Sequence, residues 1–121
     1  MDRRAIDAEI RELQEGVRRS PACARLRKSH DDYSMEIFWR LGVSQVRFRK
    51  TLAASYAGGD ATVRTITVEK TPAGYRVRDV TTRDTFRPAD PAGRDEAGGE
   101  CQNFESLERA LEWVERMVEQ A

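Results

Sequence analysis

His30 is the only histidine in the chain, and it stands beside Asp31 and Asp32, seven residues after Cys23. An imidazole, two carboxylates and a thiol are the groups of a metal site or of a nucleophile with its base. Zinc, however, wants four ligands at short, recognisable spacings, and the chain has no Cys-x-x-Cys or His-x-x-x-His. A nucleophilic triad wants a serine or cysteine in an identifiable setting, and none is present. The glycines of "AGGD" (57–60) and "AGRDEAGGE" (92–100) lack both the Gly-Lys-Ser/Thr ending and the Gly-x-Gly-x-x-Gly spacing of phosphate-binding loops. The sequence therefore predicts no catalytic residues, no metal site, no cofactor and no enzyme. Cys23 reads as a small packing residue and Cys101 as an exposed, oxidisable thiol.

Arginine is the group left with chemistry to do. The chain has 18 Arg against 3 Lys, and its formal net charge is zero. The charge is unevenly spread. Residues 40–88 carry 10 basic and 4 acidic side chains, a surplus of +6, and residues 89–121 carry 3 basic and 9 acidic, or −6. A basic middle and an acidic end either meet separate partners or attract each other within the fold.

At 121 residues the chain reads as a single domain, 1–121, with one core. No apolar run approaches membrane-spanning length, "MDRRAIDAEIRELQ" has no continuous apolar stretch after its charges, and two distant cysteines make no disulfide framework. The expectation is a reduced, cytoplasmic protein with no membrane attachment.

The elements that position the arginines follow from periodicity. Ile6, Ile10, Leu13 and Val17 form the stripe of a helix over 2–19. Ser20-Pro21 stops it and starts a short helix over 21–29. Phe104, Leu107, Leu111, Val114 and Val118 mark a closing helix from Asn103. Its outer side is acidic (Glu105, Glu108, Glu112, Glu115, Glu119), and Trp113, off the main stripe, is a candidate contact anchor. Residues 87–101, rich in Pro, Gly and Asp, read as a mobile loop. Two β-rich runs, 62–70 and 74–81, flank the turn "TPAG" and read as a hairpin.

Residues 37–52, "IFWRLGVSQVRFRKTL", carry two readings. "LGVSQ", with Ile37 four residues before Leu41 and Phe48 four after Ser44, resembles the helix-turn-helix of bacterial repressors. With the hairpin as a wing, that resemblance implies a winged helix-turn-helix DNA-binding regulator over 31–82, with Arg49 and Lys50 on bases and phosphates and the last helix pairing subunits. Phe38 and Thr51 depart from the motif, which keeps the first position small and buries an apolar group at the second. As strands, Met35, Ile37, Trp39, Leu41 and Val43 alternate with Ser34, Glu36, Phe38, Arg40 and Gly42. Val46, Phe48, Leu52, Ala54 and Tyr56 then share one face of the next run, broken only by Lys50. Alternation of this length matches β better than helix.

The expected fold is therefore α+β: N-terminal helices, a four-stranded antiparallel meander and a C-terminal helix, all helices on one face of the sheet. The other face carries Arg47, Arg49, Arg76 and Arg78 among threonines, with Arg40 and Arg64 nearby. With Trp113, these four are the candidate macromolecule-binding residues. The expected function is a small non-enzymatic binding protein, of the inhibitor, immunity, anti-defence or mobile-element accessory type. Its partner is a protein or a nucleic acid, and a homodimer is possible.

Overall fold

A computed structural model describes residues 2–55, 60–85 and 94–120 of the chain. Helix α1 (Arg3–Arg19) begins at Asp2, whose carboxylate accepts from the Ala5 amide. It is followed after one residue by α2 (Pro21–Ser29). Ser20 serves both: its amide closes α1 on the Val17 carbonyl, and its hydroxyl accepts from the Cys23 amide. Proline after such a cap wastes no donor, which is why "SP" ends one helix and starts the next.

Strands β1 (Ser34–Arg40), β2 (Val43–Ser55), β3 (Asp60–Thr71), β4 (Gly74–Thr85) and β5 (Arg94–Phe104) form one antiparallel sheet in chain order, and α3 (Leu107–Glu119) closes the chain. Residues 37–52 are thus two strands. The winged helix-turn-helix alternative over 31–82 needs a second helix at 45–56 to enter a major groove, and residues 45–55 instead pair with β1 and β3. "LG" is the turn between them: Leu41 at φ 54° and Gly42 at φ 83° are both left-handed, the geometry that matches the twist of a two-residue hairpin.

The expected class stands, with one strand more than the four expected. Residues 94–101, read from sequence as part of a loop, belong to β5, which pairs with β4 from Tyr75–Phe104 to Asp84–Arg94. The rest of that expected loop, and most of the turn read at 56–60, lie outside the described residues. Phe104 ends β5, and α3 begins at Leu107 after the Ser106 cap. Gly74 opens β4 at φ 150°, where a Cβ would stand 2.2 Å from the Phe104 carbonyl oxygen, so β4 and the end of β5 approach as only glycine allows.

One face of the sheet and the apolar stripes of the helices make the core. Val46, Phe48, Ile66, Val68 and Val77 meet Leu13 and Val17 of α1, Ala22, Cys23 and Leu26 of α2, and Ala110, Leu111, Val114 and Val118 of α3. Leu52, expected on this inner face, is instead exposed, because the β2–β3 register shifts between Thr51 and Ala53 and leaves it unpaired. Charged contacts join the helices. Glu108 of α3 accepts from the Ala22 amide at the start of α2, and Glu115 holds Arg25 in a two-point contact of 2.8 and 3.0 Å.

Candidate macromolecule-binding face

Side chains alternate along a strand, so the residues between the core positions all point to the opposite face. The register then orders them into rows. One runs Glu36, Arg47, Thr67, Arg78, Cys101; its neighbours run Phe38, Gln45, Glu69, Arg76, Asn103 and Ser34, Arg49, Thr65, Val80. The structure therefore brings Arg47, Arg49, Arg76 and Arg78 together on one face, with Arg40 at its corner.

These arginines are not equivalent. Arg47 donates to Glu36 at 2.7 Å and lies over the Phe38 ring, 4.7 Å from its centroid. Arg76 donates twice to Glu69, at 2.6 and 3.2 Å, and that carboxylate raises its pKa further. Among the described residues, Arg40, Arg49 and Arg78 have no carboxylate within ion-pair distance. Among the residues of this face whose side chains are described, five arginines stand with two glutamates. Beside Arg49 a hollow of about 420 Å³ is lined by Asp32, Ser34, Lys50, Thr51 and Val63. Lys50 is held there by Asp32: their hydrogen bond raises the lysine's pKa and lowers the aspartate's.

One residue expected near this face, Arg64, lies on the other side. Arg64 has the parity of Ile66 and Val68, so its side chain enters the helix-covered layer, where Asp79 binds it at two points. Its Nη2 also lies 3.4 Å from the Met117 carbonyl of α3, and its Nη1 3.4 Å from the Tyr33 hydroxyl. Trp113 is half-buried against the core, its ring centroid 5.9 Å from that of Phe104, and is not brought together with the four arginines. The acidic side of α3 is likewise partly engaged, since Glu108 and Glu115 dock α2.

The groups around His30 do not form a shared centre. His30 caps α2, its amide donating to the Leu26 carbonyl, while Asp32 is held by Lys50 and Cys23 faces inward against the Met35 sulfur at 3.8 Å. Burial pushes the Cys23 thiol up, away from the thiolate. Among the described residues, no three His, Cys, Asp or Glu side chains group so as to hold a metal ion, and no helix is long and apolar enough to cross a membrane.

The fold and site together define an α+β protein with a helix-covered sheet face and an arginine-bearing opposite face. Compared with protein-family models, with curated proteins and with solved structures, the chain finds no match.

Proposed function

We propose that the protein is a non-enzymatic binding module that docks an acidic protein surface on the outer face of its sheet. The observation that carries this reading is the pair Arg49 and Arg78: both stand on that face without a carboxylate partner among the described residues, in rows that also hold threonines able to donate hydrogen bonds. An arginine there offers a planar fork of donors that suits carboxylates, and the surplus charge steers an acidic partner toward it.

A protein partner is favoured over a nucleic acid by two features. Single-strand binders stack bases on exposed aromatic rings, and Phe38, the aromatic among the described residues of this face, is occupied by Arg47. Backbone neutralisation of a duplex rests on many free cations, whereas Arg47 and Arg76 are already paired with Glu36 and Glu69. Small inhibitors, immunity or anti-defence factors and accessory proteins of mobile elements work by such masking of a partner's surface.

The test uses a poly-glutamate peptide and an oligothymidylate of equal charge as probes in NMR titrations. The peptide should shift the resonances of Arg49, Thr65, Thr67 and Arg78 at lower concentration than the oligonucleotide. The doubly reversed chain, Arg49→Glu with Arg78→Glu, should lose that response while keeping its fold. If the peptide shifts other surfaces instead, or the reversed chain binds it equally well, the reading fails. Stronger binding of the oligonucleotide at the same face would replace the protein partner by a nucleic acid.

A further inference from the structure

The two edges of the sheet are built differently. On β5, four residues (Ala97 to Glu100) span the distance that three span on β4 (Asp79 to Thr81), a bulge of the kind that disrupts pairing at an edge. β1 has no such device. It pairs with β2 without a shift from Ser34–Arg49 to Arg40–Val43, contains no proline or lysine, and places Met35, Ile37 and Trp39 on the inner face. All three are only half-buried. There a groove of about 250 Å³ remains, lined by Val17, Cys23, Met35 and Ile37 and rimmed by Arg18 and Arg27.

Antiparallel alternation says which backbone groups are free. Arg40 and Val43 flank a two-residue turn and form a hydrogen-bonded pair, so Phe38, Glu36 and Ser34 also bond to β2. The N–H and C=O groups of Met35, Ile37 and Trp39 then point away from the sheet. Among the described residues, no backbone hydrogen bond outside the β1–β2 ladder takes them up.

We propose that a second copy of this chain docks on the β1 edge by antiparallel strand addition, with Phe38 on the two-fold axis, to give a continuous ten-stranded sheet. In that register Ile37 exchanges both backbone hydrogen bonds with Trp39 of the second copy, and Trp39 with its Ile37, four bonds in all. On the inner face the half-buried apolar side chains cover one another. On the outer face Glu36 of each copy stands directly opposite Arg40 of the other. Arg40 has no carboxylate partner among the described residues, and the Glu36 side chain is 54% exposed despite its bond to Arg47, so the charges are complementary at both ends of the contact. The two Phe38 rings meet on the axis. Leu41, an 89% exposed leucine in a left-handed conformation at the hairpin tip, falls opposite Met35 of the second copy. This contact rests on the edge of the sheet and is independent of the partner assigned to its face.

Three measurements on the full chain test it. In sedimentation equilibrium the native protein should move, with rising concentration, from 13.8 kDa to twice that mass. In native-state hydrogen exchange the Ile37 and Trp39 amides should gain at least about tenfold protection over the same range, while Glu36 and Phe38, bonded to β2, stay protected throughout. Positions opposite each other in a non-hydrogen-bonded pair are close enough for a disulfide. Phe38→Cys in a Cys101→Ser background should therefore form a cross-linked dimer on mild oxidation, and Ser34→Cys in that background should not. A native chain that stays monomeric at millimolar concentration leaves the edge to a different protein's strand and overturns the proposal. So does a dimer whose Ile37 and Trp39 amides exchange as fast as in the monomer.

Discussion

Arg64 of β3 and Asp79 of β4 meet in a two-point ion pair, Nε to Oδ1 at 3.1 Å and Nη2 to Oδ2 at 2.8 Å, beneath the end of α3. The side chains are only 11% and 19% exposed. Tyr33 and the Met117 carbonyl supply further oxygens at 3.4 Å, so one guanidinium joins two strands, the last helix and the approach to β1. Asp79 raises the Arg64 pKa above an already high ordinary value, so the guanidinium is charged at neutral pH.

Removing one member of such a pair strands the other charge in a poorly hydrated layer. Asp79→Asn is expected to cost about 3 kcal/mol in urea unfolding. Arg64→Met combined with Asp79→Leu should recover most of that loss, because no charge is then left unpaired. A double variant as unstable as the single one would show that the pair supplies more than mutual neutralisation.

Leu41 holds a left-handed conformation at the β1–β2 turn with its side chain in solvent. That conformation costs a leucine about 1 kcal/mol, and asparagine adopts it with less strain. Leu41→Asn should therefore raise stability by up to about 1 kcal/mol, read by thermal unfolding of chain dilute enough not to self-associate.

At Gly74 the sign is opposite. An alanine methyl would meet the Phe104 carbonyl oxygen at 2.2 Å, and relief would require β4 to part from the end of β5. Gly74→Ala is expected to cost about 2 kcal/mol or more. The hydrogen-exchange protection of the Phe104 and Tyr75 amides should drop with it.

Acid should loosen the α2–α3 contact. The hydrogen bond from Arg25 holds the Glu115 carboxyl below the usual glutamate value, which is about 4.3. A carboxyl whose folded pKa is depressed contributes its stability fully above the unfolded value, and that contribution is lost as pH falls through the folded one. The stability difference between the native chain and Glu115→Gln should be constant from about pH 7 to about pH 5 and shrink as pH falls below the usual glutamate value. A difference that does not change with pH would mean that the Arg25 contact is not charge-dependent.

Much of the fold was legible because its signals are local. The Ser20-Pro21 junction, the stripe from Leu107 to Val118, the alternation of 34–50 and the turn at "TPAG" each mark an element by residue type and period alone. The same alternation brought Arg47, Arg49, Arg76 and Arg78 to one face before any pairing was known.

What the tertiary structure decided was pairing. β5 has no alternating apolar residues to mark it in the sequence; it is a strand because β4 offers it backbone groups to bond. Only the register showed that Arg47 answers to Glu36 and Arg76 to Glu69, leaving Arg40, Arg49 and Arg78 as the arginines of this face without a described carboxylate partner. Only the packed helices showed that Arg64 is a buried strut and that Trp113 lies against Phe104. By itself the sequence determined the class of fold and which arginines share a face, because side-chain alternation is a property of a single strand. Which charges are already spoken for depends on contacts between residues distant in the chain, and those exist only once the sheet has assembled.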